Sequence, residues 1–168
     1  MRLPGVLKNF ELYLNADPIG RTVEEVTLPS TAKEYVEIKT GGMTRPLKIP
    51  VGFEGSMEVK FTTKGIDIQT LIPQGCGLGN IRLQFKGAIE DPSTCDLIPF
   101  TANFTGSLEN DPESLKKGDL SGGEVTLNAI TAEYIWNNEV IYVERVLDNV
   151  LIVNGVDLKA EENAALGY

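Results

Sequence analysis

The residues best able to do chemistry in this sequence are its carboxylates, 24 Asp and Glu in all. Adjacent pairs such as Glu24-Glu25, Glu90-Asp91 and Glu161-Glu162 invite comparison with the two carboxyl groups that flank a glycosidic bond in a hydrolase. Neighbouring residues of a strand point to opposite faces, so none of these pairs can flank one bond. Solvated surface charge is the reading they favour. Histidine is absent, which removes the commonest general base and metal ligand and any Ser/His or Cys/His nucleophile. Cys76 and Cys95 stand 19 positions apart with no partner at metal-site spacing, so they read as free thiols. The glycine cluster Gly75-Cys76-Gly77-Leu78-Gly79-Asn80 follows a helical segment and precedes a strand. That order is the reverse of the one that presents a helix N-terminus to phosphate, and a turn accounts for it better. Asn103-Phe104-Thr105 matches a glycosylation acceptor but falls inside a strand pattern.

No catalytic constellation and no cofactor site emerge, and the elements that would have to position one are of a single kind. Period-2 runs bounded by Gly, Pro, Asn and Asp recur at 23–28, 33–40, 57–63, 81–89, 98–105 and 125–136, the mark of an antiparallel β domain. In the third run Met57, Val59 and Phe61 alternate with Glu58, Lys60 and Thr62; in the fourth Ile81, Leu83 and Phe85 alternate with Arg82, Gln84 and Lys86. Each strand therefore has one dry and one wet face. Trp136-Asn137-Asn138-Glu139 places two residues tolerant of positive φ between strands 125–135 and 140–145, a tight hairpin.

Helix signals are few. A short segment at 66–72 is stopped by Pro73, and Asp157 is placed to cap a C-terminal helix at 158–166 that shows Leu158, Ala165 and Leu166 on one face and ends at Gly167. Two stretches read as loops. Residues 41–56, opening with Gly41-Gly42-Met43-Thr44-Arg45-Pro46, read as an arm, and 109–123 as a charged, Gly-rich flexible connection.

Composition agrees with one soluble domain spanning 1–168. Hydrophobic residues make up 42% and charged residues 23% of 168 positions, enough for one core and too balanced for wholesale disorder. No run approaches the roughly 20 apolar residues needed to span a bilayer, and no apolar h-region follows Arg2, so a secretory signal is not expected. The net charge of −9 disfavours a nucleic-acid binder.

Certain residues carry a family likeness. Asn9 and Leu12, Val26-Thr27-Leu28-Pro29, Lys33 and Tyr35, Gly41-Gly42-Met43, then Pro46, Ile49, Gly52 and the run from Gly55 to Gly65 occur in a characteristic order. So does the closing Val153-Asn154-Gly155-Val156-Asp157 with Leu166-Gly167. In these the chain resembles the major tail tube proteins of contractile-tailed bacteriophages and of R-type pyocins. The likeness covers the N-terminal third and the last 30 residues; between 73 and 121 only the strand pattern agrees.

The resemblance implies an antiparallel β-sandwich or barrel with one short flanking helix and a short C-terminal helix. It implies a structural subunit rather than an enzyme, six copies closing a ring and rings stacking into a tube around a channel. Expected partners are further copies of the chain, the tail sheath protein, baseplate and tail terminator proteins, the tape measure protein and, transiently, DNA in the lumen. No stable membrane binding is expected, and the implied location is the virion tail, assembled in the host cytoplasm. Gly41, Gly42, Met43, Thr44, Arg45 and Pro46 would mediate contacts between subunits and stacked rings. Val153, Asn154, Gly155, Val156 and Asp157 would dock the C-terminal segment on its own domain or a neighbour. An acidic lumen would repel DNA rather than hold it, with Glu24, Glu37, Glu58 and Lys60 as candidates to line it. Competing readings are the tube protein of a type VI secretion system, a carbohydrate-binding β-sandwich, which 7% aromatics support weakly, and a carboxylate-based hydrolase.

Overall fold

A computed structural model describes residues 3–71 and 76–168. The chain forms β1 (Val6–Leu14), β2 (Asp17–Pro18), β3 (Val23–Thr27), β4 (Lys33–Ile38), β5 (Leu47–Phe53), β6 (Glu58–Thr63), the short helix α1 (Ile68–Leu71), β7 (Ile81–Glu90), β8 (Leu97–Pro112), β9 (Gly123–Trp136), β10 (Glu139–Arg145), β11 (Val150–Val153), β12 (Val156–Asp157) and α2 (Ala160–Leu166). All pairings are antiparallel, which agrees with the β class expected from the alternating runs.

The β8–β9 ribbon organises the rest. Along one edge β9 pairs with β8 from Gly123 to Trp136. Its other edge is divided: β6 takes residues 123–128 and β10 takes 131–136. On the far side of β8, β7 pairs with residues 97–106 and β1 pairs with β7. A register break opposite Thr105 and Gly106 bends the ribbon. It shifts the buried positions of β9 from Val125, Leu127 and Ala129 to Ala132.

Gly106 is obligatory at the bend. A Cβ there would run into the carbonyl oxygen of Asn128 and stand 2.8 Å from the Cα of Ala129, so only a residue without a side chain lets the two strands approach. The fold brings the dry faces together. Leu12 and Leu14 of β1, Ile81, Leu83 and Phe85 of β7, Phe104 of β8, Val59 and Phe61 of β6 and Val125 and Leu127 of β9 form one buried cluster. An aromatic ladder continues the core across the sheet: Phe10 stacks on Phe85, Phe100 meets Phe85, Tyr134 and Trp136, and Tyr134 stacks on Tyr142 at 5.1 Å.

Several expectations need correcting. Residues 109–112 are not loop but the last turn-free stretch of β8, and only 113–122 lie outside strands. Apolar alternation fails there because the wet face carries Glu109 and Asp111 while Asn110, on the dry side, donates to the Thr70 carbonyl at 2.9 Å. The arm is longer than 41–56 and is not a loop at its base, because Leu47–Phe53 pairs with Lys33–Ile38 in a separate two-stranded sheet. The helix at 66–72 shrinks to Ile68–Leu71, with Asp67 accepting from the Gln69 N–H; Ile72, Pro73 and Gly75 lie outside the described residues. Strand β1 carries no strict alternation in its first half and was not anticipated. The hairpin at Asn137 and Asn138 has the expected positive φ values of 50° and 65°.

Two outcomes follow. Gly106→Ala should lower stability by about 3 kcal/mol through overpacking against backbone that cannot yield, measured by urea denaturation; a loss below about 0.5 kcal/mol would show that the bend relaxes freely. Burial, and secondarily the Glu144 charge, push the Tyr134 hydroxyl up from 10.0 to about 12. A group raised in the folded state stabilises fully below its unfolded pKa and loses that contribution as pH rises towards the folded one. Wild-type stability should therefore fall between pH 10 and about 12, and Tyr134→Phe should show a shallower fall in urea midpoint over the same window.

Candidate functional site

The carboxylates of β3, β6, β8 and β9 lie on an open strand face, while a hollow of about 550 Å³ on β7 and β8 is lined in part by Tyr13, Arg82, Gln84, Asn103 and Thr105. On the wet side of β3, β6, β9 and the C-terminal half of β8, cross-strand pairing sets three rows: Thr27, Lys60, Thr126 and Glu109; Glu25, Thr62, Glu124 and Asp111; Glu58, Asn128 and Ser107. Five carboxylates share this face with one lysine. Glu124 and Asp111 stand directly opposite each other, an arrangement that costs stability in an isolated sheet. Lys60 reaches Glu58 at 3.9 Å with both side chains largely exposed, so water screens most of that attraction. Among the described residues no group of three or more Cys, Asp or Glu is placed to hold a metal. Cys76 and Cys95 are free and exposed, as their spacing indicated.

The four residues expected to line a lumen do not share one surface. Glu58 and Lys60 lie on the acidic face. Glu24 sits in the register break between Val23 and Glu25 and pairs with Lys64 at 3.5 Å. Glu37 is on the arm, opposite Lys48. Sequence reasoning missed Glu25, Glu109, Asp111 and Glu124; the alternation of Glu109 with Asp111 was the available signal.

The arm is a hairpin whose turn holds Gly41, Gly42, Met43, Thr44, Arg45 and Pro46, with Gly42 at φ +91° where glycine alone is unstrained. Every residue from Lys33 to Gly52 is exposed. Val36 faces Ile49 and Ile38 faces Leu47 across the two strands, so one side of the arm is a continuous apolar stripe. These four side chains are between 37% and 51% exposed. Two-stranded hairpins are marginal in water, and among the described residues no third strand pairs with this one.

At the C-terminus, Val153 belongs to β11, Asn154 and Gly155 turn with φ of 50° and 81°, and Val156 and Asp157 form β12, so this segment is a hairpin on the sheet edge. Asp157 does not cap α2. It accepts from the Lys159 N–H at 2.9 Å, and Lys159 occupies the cap position without a side-chain capping bond. The helix docks through polar groups instead of its apolar side. Asn149 Nδ2 donates to Asn163 Oδ1 at 2.7 Å, Asn163 Nδ2 donates to the Asn149 carbonyl at 3.0 Å, and Lys159 bonds Glu162 at 2.6 Å. That last bond, with one from Asn149, holds the Glu162 carboxyl below its usual range. Leu158, Leu166 and Tyr168 stay exposed, and Gly167 ends the helix in the left-handed conformation at φ 86° as expected.

Trp136 is half-buried against Phe100. The chain matches the family described as phage tail tube protein FII over residues 4–167. It belongs to that family. No curated protein matches it. Its fold is shared with a solved structure described as the PVC sheath/tube terminator, in the extended state, of an extracellular contractile injection system. The TM-score is 0.52 at 13% identity, covering 80% of this chain and 98% of that one. As a tail tube protein the chain is a structural component of a tail, and its exposed arm and acidic face are surfaces of a subunit. Removing the amide pair with Asn163→Ala should release α2 without unfolding the sheet. Amide exchange at 160–166 would then rise sharply while exchange in β8 and β9 stays slow; loss of protection in both would place α2 in the cooperative core.

Proposed function

We propose that copies of this chain close into hexameric rings that stack as the inner tube of a contractile tail, around a channel for DNA passage or membrane puncture. It acts without catalysis. The observation that carries this reading is the arm: a two-stranded sheet with an uncovered apolar stripe is built for a neighbour. Completing the burial of Val36, Ile38, Leu47 and Ile49 contributes on the order of 3–6 kcal/mol per arm, repeated at every subunit. Gly41 to Pro46 form the tip of that contact, and the Val153 to Asp157 hairpin with α2 covers a sheet edge.

The open sheet supports the same reading. Among the described residues β3 pairs only with β6, and residues 107–112 of β8 pair only with β9; closure across subunits satisfies such edges. The acidic face suits the channel wall, because it offers phosphate repulsion rather than counterion release. Glu58 and Lys60 lie there, whereas Glu24 and Glu37 belong to other surfaces. A tube of this kind takes the sheath outside, the baseplate and terminator at its ends, and the tape measure protein and DNA transiently inside; of these, the family and the likeness to a sheath/tube terminator favour the sheath and the terminator.

Negative-stain microscopy of concentrated protein should show rings or tubes roughly 80 to 100 Å wide, the span of six domain-sized wedges. Deleting 42–45 should leave a folded, soluble chain that forms none. Normal tubes from the deletion variant would sink the assignment of the arm.

A further inference from the structure

A second apolar surface is left uncovered, at the end of the core farthest from β3 and β6. Pairing places Leu7, Ile89 and Ile98 in one row and Phe10, Gly87, Phe100 and Trp136 in the next, all on the dry side of the sheet. Strand β6 ends its pairing with β9 at Asn128 and does not reach them. Leu7 is 47% exposed, and Phe10, Phe100 and Trp136 are half-buried. Between Phe10 and Phe100, Gly87 is buried, and Leu7 Cδ1 and the Phe85 ring lie over it at 2.9 and 3.0 Å from where a Cβ would be.

We propose that this aromatic end receives the arm of a second copy, with the Val36, Ile38, Leu47 and Ile49 stripe laid over Leu7, Phe10, Phe100 and Trp136. The inference rests on the tube reading above and specifies where its arm goes. Charge favours the same partner. Residues 33–53 hold four Lys and Arg against two Glu, a net of +2, while the remainder holds 11 against 22, a net of −11. Lys39, Arg45 and Lys48 flank the stripe at the tip. The aromatic end is rimmed by Glu90, Asp91, Asp96 and Glu139, with Lys8 held by Glu90 at 3.1 Å. The acidic face on β6 and β9 is opposite to the tip in charge, but it offers the stripe carboxylates, hydroxyls, amides and a lysine, so it cannot dry the arm. Because stripe and receptor are different surfaces, the contact is head-to-tail and propagates.

Trp136 is the only tryptophan, which makes wild-type protein its own reporter. Acrylamide quenching of Trp136 should weaken and its emission move to shorter wavelength on passing from unassembled chain to tubes. For the occupant, two single-cysteine variants, Ile49→Cys and Leu7→Cys, each with Cys76→Ser and Cys95→Ser, are mixed, assembled and oxidised. Disulfide-linked dimers are expected from this pair and not when Thr126→Cys, on the acidic face, replaces Leu7→Cys. Tubes in which Trp136 stays as quenchable as before, or dimers through Thr126→Cys instead, overturn the receptor while leaving the tube reading intact. Failure of wild-type protein to form rings or tubes overturns both. Should the cysteine variants not assemble, the quenching of wild-type Trp136 decides alone.

Discussion

Where β8 passes Asn128 and Ala129, backbone meets backbone with no side chain between, and the rest of the molecule is arranged by that contact at Gly106. A straight β8–β9 ribbon would be a flat, two-sided sheet with nowhere to bury Phe61, Leu83 and Phe104. Bending it at one glycine turns the dry faces of β1 and β7 towards those of β3 and β6, and a single core results. The same bend sends the two halves of the wet side in different directions. One half carries Glu58, Glu109, Asp111 and Glu124; the other carries Arg82, Lys86 and Glu133 with the amide chain Gln84 to Asn103 at 2.7 Å. One backbone constraint therefore separates a repulsive surface from a mixed one.

The separate chain tolerates arrangements that make little sense for a free monomer. Opposed carboxylates at Glu124 and Asp111, an arm with its apolar stripe in water and an aromatic core left ajar each lower solubility or stability in isolation. A core of fully buried Leu12, Phe61, Val125 and Leu127 is large enough to carry these costs. Stability is concentrated in the centre, and the periphery is left free to be shaped by contacts with other copies.

Legibility in the sequence followed the physics of each element. Strands with one face against the core, such as 57–63 and 81–89, show their alternation plainly, because burial selects Val59, Phe61, Ile81 and Leu83 on one side only. The Asn137-Asn138 turn was readable because its backbone demands residues that accept positive φ. Strand 47–53 was hidden, since both its faces are exposed and Pro50 lies within it; nothing in solvent contact enforces a period. The end of β8 was hidden for the opposite reason, its charges imitating a loop. Asp157 was misassigned because an Asx turn and a helix cap use the same oxygen and differ only in where the helix begins. Beyond Glu58, Lys60 and the alternation of Glu109 with Asp111, the acidic face was not legible, for it is assembled from four strands whose register no single run contains.

A two-stranded arm with its apolar stripe exposed has a kinetic meaning as well as a structural one. In the tube proposed above, the first copies to meet order both arms while gaining few contacts, whereas a copy joining a ring finds the receiving surface already in place. Growth from a seed is then fast and spontaneous initiation slow. A chain of this design can accumulate at high concentration as dispersed subunits, with the number of filaments fixed by the number of seeds rather than by the amount of protein.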